Sequence, residues 1–589
     1  MSERRKVFFV IIQMKGVFNF MARIRSKQPA LKSLSYKFGG MGKHTPLSPV
    51  GAEDTCNFRI LPNGVLRVRS GYALKKHFSS GGKVRGVWEG TLGGTSLRFA
   101  VVGDTVYRLS GDAMDETAVG TVTEGDGPVH FCVFEDTLHL LDGQTIWTYS
   151  EATQTFGAVE PYVPLYGYSW NPTTYGEVNE DINLLTPRLR VHYYNSTGSS
   201  IFTLPYYADR IEVVIADGKK TGNYSFMAGS NKISFSTPPT VLEVGFSVSL
   251  NAETRAAMLA SQMSYIYTRG GANQLLLWGN DARLFFSRSV SAPMMSSCRV
   301  FYPKASSLYF CAKDVLFLGD SAHPIRTICP LYETLLVFTS DRIWNLAFEK
   351  EGVQATLAMQ DMGCGSLHGA IPYNNGVLAA LDGGIYHITA SPARPEELFL
   401  ERLSIGVDEK FPSGFTDNVH LVRNLLDGEI WLRDPTNEAG DVWVWNFELE
   451  QWYRFDGIAA SSFFKNADSI GFACGSDIFL FGRTYTTDNG TAINAYYKSA
   501  YLDFEASDSP RRSMRTLLYS SASESDCEVL FETEQKEISY PLLPASYANA
   551  PQLHDMRIAT HRYRFLRFTL SASAMDLLEF YRLDLYSRP

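Results

Sequence analysis

Apolar residues along this chain come in short runs, about five to eight long, broken by tight polar turns; that rhythm suits β-strands and is too short for helices. Seven of the breaks share one form. Apolar residues lead into a turn containing Asp, and an aliphatic residue followed by an aromatic leads out. The segments are VVGDTVYRL at Asp104, LLDGQTIWTY at Asp142, LLWGNDARLFF at Asp281, VFTSDRIWNL at Asp341, ALDGGIYHI at Asp382, LLDGEIWLR at Asp427 and ACGSDIFLF at Asp477. Asp and Gly suit such turns because tight hairpins need residues that tolerate positive φ.

The turns are regularly spaced. Asp104 to Asp142 is 38 residues, Asp341 to Asp382 is 41, Asp382 to Asp427 is 45 and Asp427 to Asp477 is 50. A period of about 40–50 residues with all-β content predicts a β-propeller, one four-stranded blade per repeat. Asp281 to Asp341 is 60, one blade with a long loop, whereas Asp142 to Asp281 is 139, too long for a single blade.

The long gap has its own pattern. Leu189–Tyr193, Ile201–Leu204, Ile211–Ile215, Ile233–Phe235 and Val244–Leu250 read as strands separated by turn residues such as Asp217-Gly218 and Pro238-Pro239. They predict a small antiparallel β domain over 166–251, inserted into the propeller. Removing it leaves about one blade in the gap, so the count is about seven, with six or eight also compatible. Residues 252–265 return from the insertion as a short linker helix. After Asn494 further strands are expected at 515–519, 527–531, 561–568 and 577–583, forming a β-sandwich-like C-terminal region. In 561–568 rings and Leu alternate with arginines, which predicts one apolar and one basic face. The expected organisation is a basic arm over 1–50, propeller over 51–165 and 252–494, the insertion over 166–251, and the C-terminal β region over 495–589.

One stretch breaks the usual alternation. VWVWNFELEQWYRF, from Val442 to Phe455, carries apolar groups on both faces of two short strands joined at Glu448–Glu450. Propeller sheets pack face to face, so inter-blade packing would bury both sides without any ligand.

Composition narrows the picture. At about 100–200 residues per domain, 589 residues suggest three or four domains, or fewer with a large repeat array. Aromatic residues are 13% of the chain, which favours strands. The net charge of −8 argues against a surface built as a nucleic-acid clamp. The exception is the first 43 residues, with ten Lys and Arg against Glu3. Arg23, Arg25 and Lys27 in this arm are the candidates for a partner contact. The run VFFVIIQM (Val7–Met14) mimics a signal peptide, but it ends at Lys15 without a small-x-small cleavage site and is too short to span a bilayer. The eight cysteines form no CxxC and no zinc spacing, so they are expected as reduced thiols packed in apolar runs.

Candidate chemistry is sparse. HExxH, GxSxG, the GxxxxGK[ST] loop and the SxDxGxxW box of hydrolytic propellers are all absent. Glu448 and Glu450 flank a turn and Asp408-Glu409 lies in a polar loop, so both pairs read as solvated acids. Cys364 and His368 resemble a thiol–imidazole pair on paper, but a glycine-rich strand start with a buried Cys is the plainer reading. No catalytic residue, metal ligand or cofactor site is expected.

The order of parts resembles the β-propeller tail proteins of short-tailed bacteriophages, the hub, nozzle and packaged-DNA-stabilising proteins. Four segments carry the resemblance: Asp54–Phe58 with Leu66–Tyr72, LFFSRSVSAP from Leu284, GCGSLHGAIPYNNGVLAALDGGIYH over 363–387, and Val442–Asn446 with Gln451–Phe455. It implies a structural protein of the virion tail, made in the bacterial cytoplasm and without a membrane span. Six copies of such a chain would form a ring below the portal and its adaptor. The ring would retain the genome and then conduct it without sequence-specific binding, and tail fibres are a further partner. The competing class is a secreted or surface β-propeller that binds or hydrolyses glycans.

Overall fold

The computed structural model describes residues 32–588 apart from 43–49, 169–178, 250–252, 270–271, 280, 291–305, 350–351, 392–393, 467–468, 503–510 and 544–549. The chain divides into two compact units. One comprises 74–441 and 458–480, the other 1–73, 442–457 and 481–589.

The first unit is a β-propeller. Among the described residues its blades start with the strands Val84–Leu92, His130–Phe134, Met263–Arg269, Ile325–Leu331, Ala370–Tyr373, His420–Asn424 and Ser462–Asn466. The first five of these open complete four-stranded antiparallel meanders. The first strands of neighbouring blades pack on one another except between blades 3 and 4, which meet through their shared apolar core, and the last packs on the first, which closes the ring. Apolar side chains fill the spaces between blades. Leu97, Phe99 and Val101 of blade 1 meet Leu138, Leu140 and Tyr149 of blade 2. Leu276, Trp278 and Leu284 of blade 3 meet Leu335, Val337 and Leu346 of blade 4. Phe464, Ala473 and Ile478 of blade 7 meet Val84, Ala100 and Val102 of blade 1. Strands Thr334–Thr339 and Gly376–Leu381 are buried at every position, because a sheet between two sheets has no solvent face.

Six of the seven Asp turns join the second and third strands of their blades; Asp427 joins the first and second of blade 6. The local pattern marks a tight hairpin without saying which hairpin of a sheet it is. Glycines at positive φ sit in the turns at Gly103, Gly143, Gly383, Gly428 and Gly475. The Asp142 carboxylate caps its own turn, accepting from Gln144 N, Thr145 N and Trp147 Nε1 at 2.7–2.9 Å.

The insertion lies between blades 2 and 3. A five-stranded sheet (Leu165–Tyr168, Arg188–Asn195, Leu242–Ser249, Arg210–Ala216, Lys219–Lys220) and a three-stranded one (Ile201–Ala208, Ser230–Ser234, Ser225–Phe226) share a core that includes Val191, Phe202, Val214, Ile233 and Phe246. It is antiparallel except for its first pair, Leu165–Tyr168 beside Arg190–Tyr193. The return helix is shorter than the expected 252–265, spanning Glu253–Leu259, and it buries Met258 beneath blades 2 and 3.

The second unit is a sandwich of two sheets. One has the strand order Phe58–Ile60, Leu66–Val68, Glu579–Arg588, Arg511–Ser520, Gln552–Tyr563, with Lys32–Tyr36 also paired to Glu579–Arg588; the other runs Ala52–Cys56, Ile493–Ser499, Leu566–Ala574, Asp526–Thr533, Glu537–Leu542. Tyr36 of the first sheet meets Tyr497 and Phe568 of the second edge to face. The strands at 32–36 and 52–68 therefore belong to the sandwich, whereas the sequence pattern predicts an arm over 1–50 and a propeller that begins at 51. Pairing between opposite ends of a chain leaves no mark in local periodicity. The aromatic hairpin Val442–Phe455 also lies in this unit. Trp452 exchanges backbone hydrogen bonds with Met41, and the strand Gln451–Phe455 packs on Ala52–Cys56 and Phe58–Ile60. Within this unit the strand Gln451–Phe455 is thus covered by the N-terminal strands.

Candidate functional site

Two polar assemblies stand out, one in each unit. In the propeller a cavity of about 520 Å³ is lined from blades 1, 2, 3, 5, 6 and 7 by the beginnings of their first strands. Its apolar lining includes Val87, Phe131, Met263, Leu367 and Phe463, and its charged lining is Lys83, Arg85 and Asp126. Three histidines complete it: His130, His368 and His420. The rings of His368 and His420 meet edge to face, 4.5 Å between centroids, and His130 Nε2 lies 2.9 Å from Ser264 Oγ. Burial holds all three below the ordinary histidine range, His368 at about 4 and the others at about 3, and the nearby His368 lowers its two neighbours further. At neutral pH each therefore presents one N–H donor and one nitrogen acceptor. Arg85 is built into the wall: its Nε donates to Gly127 O, and its Nη1 to Gly103 O and Thr123 O.

The sequence signal for this set was slight. Each histidine follows an aliphatic residue at the start of a blade, in Val129-His130, Leu367-His368 and Val419-His420. Only a blade-by-blade alignment would have brought them together.

In the sandwich, Arg69 sits at the centre of a buried junction and uses all five of its N–H donors. Nε donates to Asn57 Oδ1 at 2.8 Å, Nη1 to Asp488 Oδ1 at 2.8 Å and Ser70 O at 3.2 Å, and Nη2 to Asp488 Oδ2 at 2.6 Å and Asp456 O at 2.8 Å. Asn57, at φ 58°, donates through Nδ2 to Asp456 and to Asn494 O and accepts from Asp456 N. Both Arg59 and Arg69 lie over the ring of Phe455, at 5.5 and 5.8 Å. Gly71 fits only as glycine, since a Cβ would stand 1.9 Å from Thr487 O. Tyr72 donates its hydroxyl to Gly457 O. A fully paired guanidinium of this kind orders chain segments and has no donor left for a ligand.

The residues singled out from sequence fall as follows. Arg23, Arg25 and Lys27 lie outside the described residues. Glu448 and Glu450 are exposed in their turn, where Asn446 Oδ1 accepts from Glu448 N and Leu449 N. Asp408 pairs with Arg402 at 2.9 Å. Cys364 is fully buried, its thiol donates to Ser366 O, and burial pushes it up to about 12, the opposite of an activated nucleophile. Its supposed partner His368 turns to His420 instead. The seven described cysteines are all free thiols. Of the basic face expected at 561–568, Arg567 forms ion pairs with Glu53 and Glu532 and lies over Tyr501, so it acts as structure. Among the described residues no His, Cys, Asp and Glu group is arranged to hold a metal, and no helix is long and apolar enough to cross a membrane.

No protein-family model and no curated protein matches the chain. Among solved structures it is similar to one described as the AfRom2 CNH domain, at 8% identity over 70% of this chain and 98% of that one, with a TM-score of 0.34. It is also similar to BBS1N in complex with ARL6DN, at 10% identity over 71% and 99% of the two chains, with a TM-score of 0.24. Likenesses this distant carry nothing about activity; the propeller stands on its own sheet topology.

Proposed function

We propose that this chain is a structural protein of a short-tailed bacteriophage tail. It would form, as a ring of about six copies, part of the channel below the portal that retains the genome and conducts it during ejection. One observation carries the reading. Asn57, the Arg69–Tyr72 stretch and Arg454–Phe455, which belong to segments through which the sequence resembles those tail proteins, lie far apart in the chain yet meet at one buried junction in the sandwich. Scattered motifs that resemble a family by chance have no reason to converge on shared hydrogen bonds. The net charge of −8 fits a channel wall that lets DNA pass, because a strongly cationic wall would hold phosphates. The portal and adaptor are the expected neighbours, tail fibres a further one, and the arm with Arg23, Arg25 and Lys27 is the expected docking segment.

The test is mass spectrometry and antibody labelling of purified tailed particles from the phage that encodes the chain. The expected result is a stoichiometric protein at the tail, at about six copies per particle. Particles that lack it, or a pure monomer with glycosidase activity, would overturn the reading in favour of the glycan class.

A further inference from the structure

We propose that the inserted domain carries a binding site for a neutral oligosaccharide. This inference concerns binding alone and stands apart from the tail reading. A cleft of about 300 Å³ opens where the insertion meets the last strand of blade 3, Ser306–Phe317. That volume suits a ligand of about one or two rings. Its lining includes Tyr166, Tyr206 and Leu189, together with Glu180, Asp181 and Lys313. The backbone places the rings. Ile201–Ala208 is the outer strand of its sheet, and its pairing with Ser230–Ser234 lapses between Thr203 and Ala208. Pro205 in that stretch has no N–H to pair, and an irregularity of this kind re-aims side chains. Tyr206, the next residue, meets Tyr166 edge to face, with ring centroids 6.5 Å apart and planes at 80°. Tyr168 lies two residues on from Tyr166 in one strand, so the two share a face. It continues the ring surface and stacks on Tyr193. Tyr206 and Tyr168 are 37% and 42% exposed, so these rings are open to a ligand.

The polar lining selects the ligand class. Each of its charged groups is already engaged. Tyr162 donates its hydroxyl to both Glu180 oxygens, at 2.6 and 2.8 Å, and Leu165 N donates to Glu180 Oε2 at 2.8 Å. Asp181 pairs with Lys313 at 2.5 Å and with Arg288 at 3.5 Å, and Arg288 pairs in turn with Asp314. The cleft thus holds no unpaired charge to select an ion. It still offers hydrogen bonds, because carboxylate oxygens have more than one lone pair and the Lys313 ammonium, on a side chain 76% exposed, has three N–H donors. A pyranose matches both halves of this lining. Its C–H faces pack on aromatic rings, and its hydroxyls, each a donor and an acceptor, meet carboxylate and ammonium groups side by side.

Saturation-transfer NMR and titration calorimetry of the full chain test this with maltotriose, cellotriose and the trimer of N-acetylglucosamine. Glucuronate, glucosamine and cyclohexanol serve as an anionic, a cationic and an apolar control. At least one trisaccharide should bind at millimolar concentration, and every control should bind more weakly. Tyr206→Ala should weaken that binding about tenfold or more, whereas Tyr206→Phe, which keeps the ring face, should bind nearly as the unaltered chain does. Tyr207→Ala removes the neighbouring ring, 71% exposed and outside the cleft lining, and should leave binding unchanged. The proposal is overturned if no trisaccharide binds at millimolar concentration, or if any control binds as tightly as the best trisaccharide. It is equally overturned if Tyr206→Ala binds no worse than Tyr207→Ala, or if Tyr206→Phe binds as poorly as Tyr206→Ala.

Discussion

The two polar assemblies of this protein solve opposite problems. At the sandwich junction a charge is buried and every hydrogen-bonding valence is spent: Arg69 has five donors and five acceptors, and its carboxylate partner is Asp488. In the propeller cavity the imidazoles are kept neutral and line a space large enough for a ligand. The difference teaches how to tell a structural polar cluster from an available one. Buried charge with complete pairing fixes chain segments; uncharged donors around a void leave binding capacity unused.

The contrast can be broken most severely at Asp488. Asp488→Ala strands a guanidinium that is wholly buried, which costs about 3–5 kcal/mol. Chemical denaturation should show the sandwich unfolding at much lower denaturant, whereas removing both His368 and His420 by Gln should shift the midpoint little. Gly71→Ala comes next. Its methyl group would collide with the Thr487 backbone, and overpacking of this kind costs about 1–3 kcal/mol, seen as a lower melting temperature.

Acid sharpens the comparison from the other side. The three cavity histidines have folded pKa values below the unfolded 6.5, so the unfolded chain takes up protons first. Their contribution is complete above pH 6.5 and is lost as pH falls from there towards about 4. Thermal melts should fall by several degrees over that range, and less in the double Gln variant. The junction contains no histidine and should not follow this profile. The smallest effect is expected at Arg98, paired with Glu89 on a partly exposed blade surface. Arg98→Ala should change stability by about 0–1 kcal/mol, and the change should shrink in high salt.

Much of the propeller was legible because each blade is a local object. Turns such as Gly103-Asp104 and Asp382-Gly383 with alternating strands can be read within a window of about 40 residues. The insertion was legible from the alternation within its strands, although their pairing was not: Arg188–Asn195 and Arg210–Ala216 both flank Leu242–Ser249. The sandwich was not. Lys32–Tyr36 pairs with Leu583–Ser587, and Ala52–Cys56 with Tyr496–Ser499, across more than four hundred residues. The candidate sites divide the same way. Cys364 and His368 look paired because they are four apart, yet the loop before Ala370–Tyr373 turns the thiol to Ser366 O and the imidazole to His420.

The sequence by itself determined the strand content, the hairpin turns, the repeat period and the inserted domain, because these follow from side-chain alternation and from residues that tolerate positive φ. Tertiary structure alone decided which ends of the chain share a sheet, that Asn57, Arg69 and Asp488 form one network, and that histidines from blades 2, 5 and 6 face one cavity. Those facts depend on long-range closure of the chain. Closure brings side chains together by the geometry of a ring of blades, and nothing in the local order of residues records that geometry.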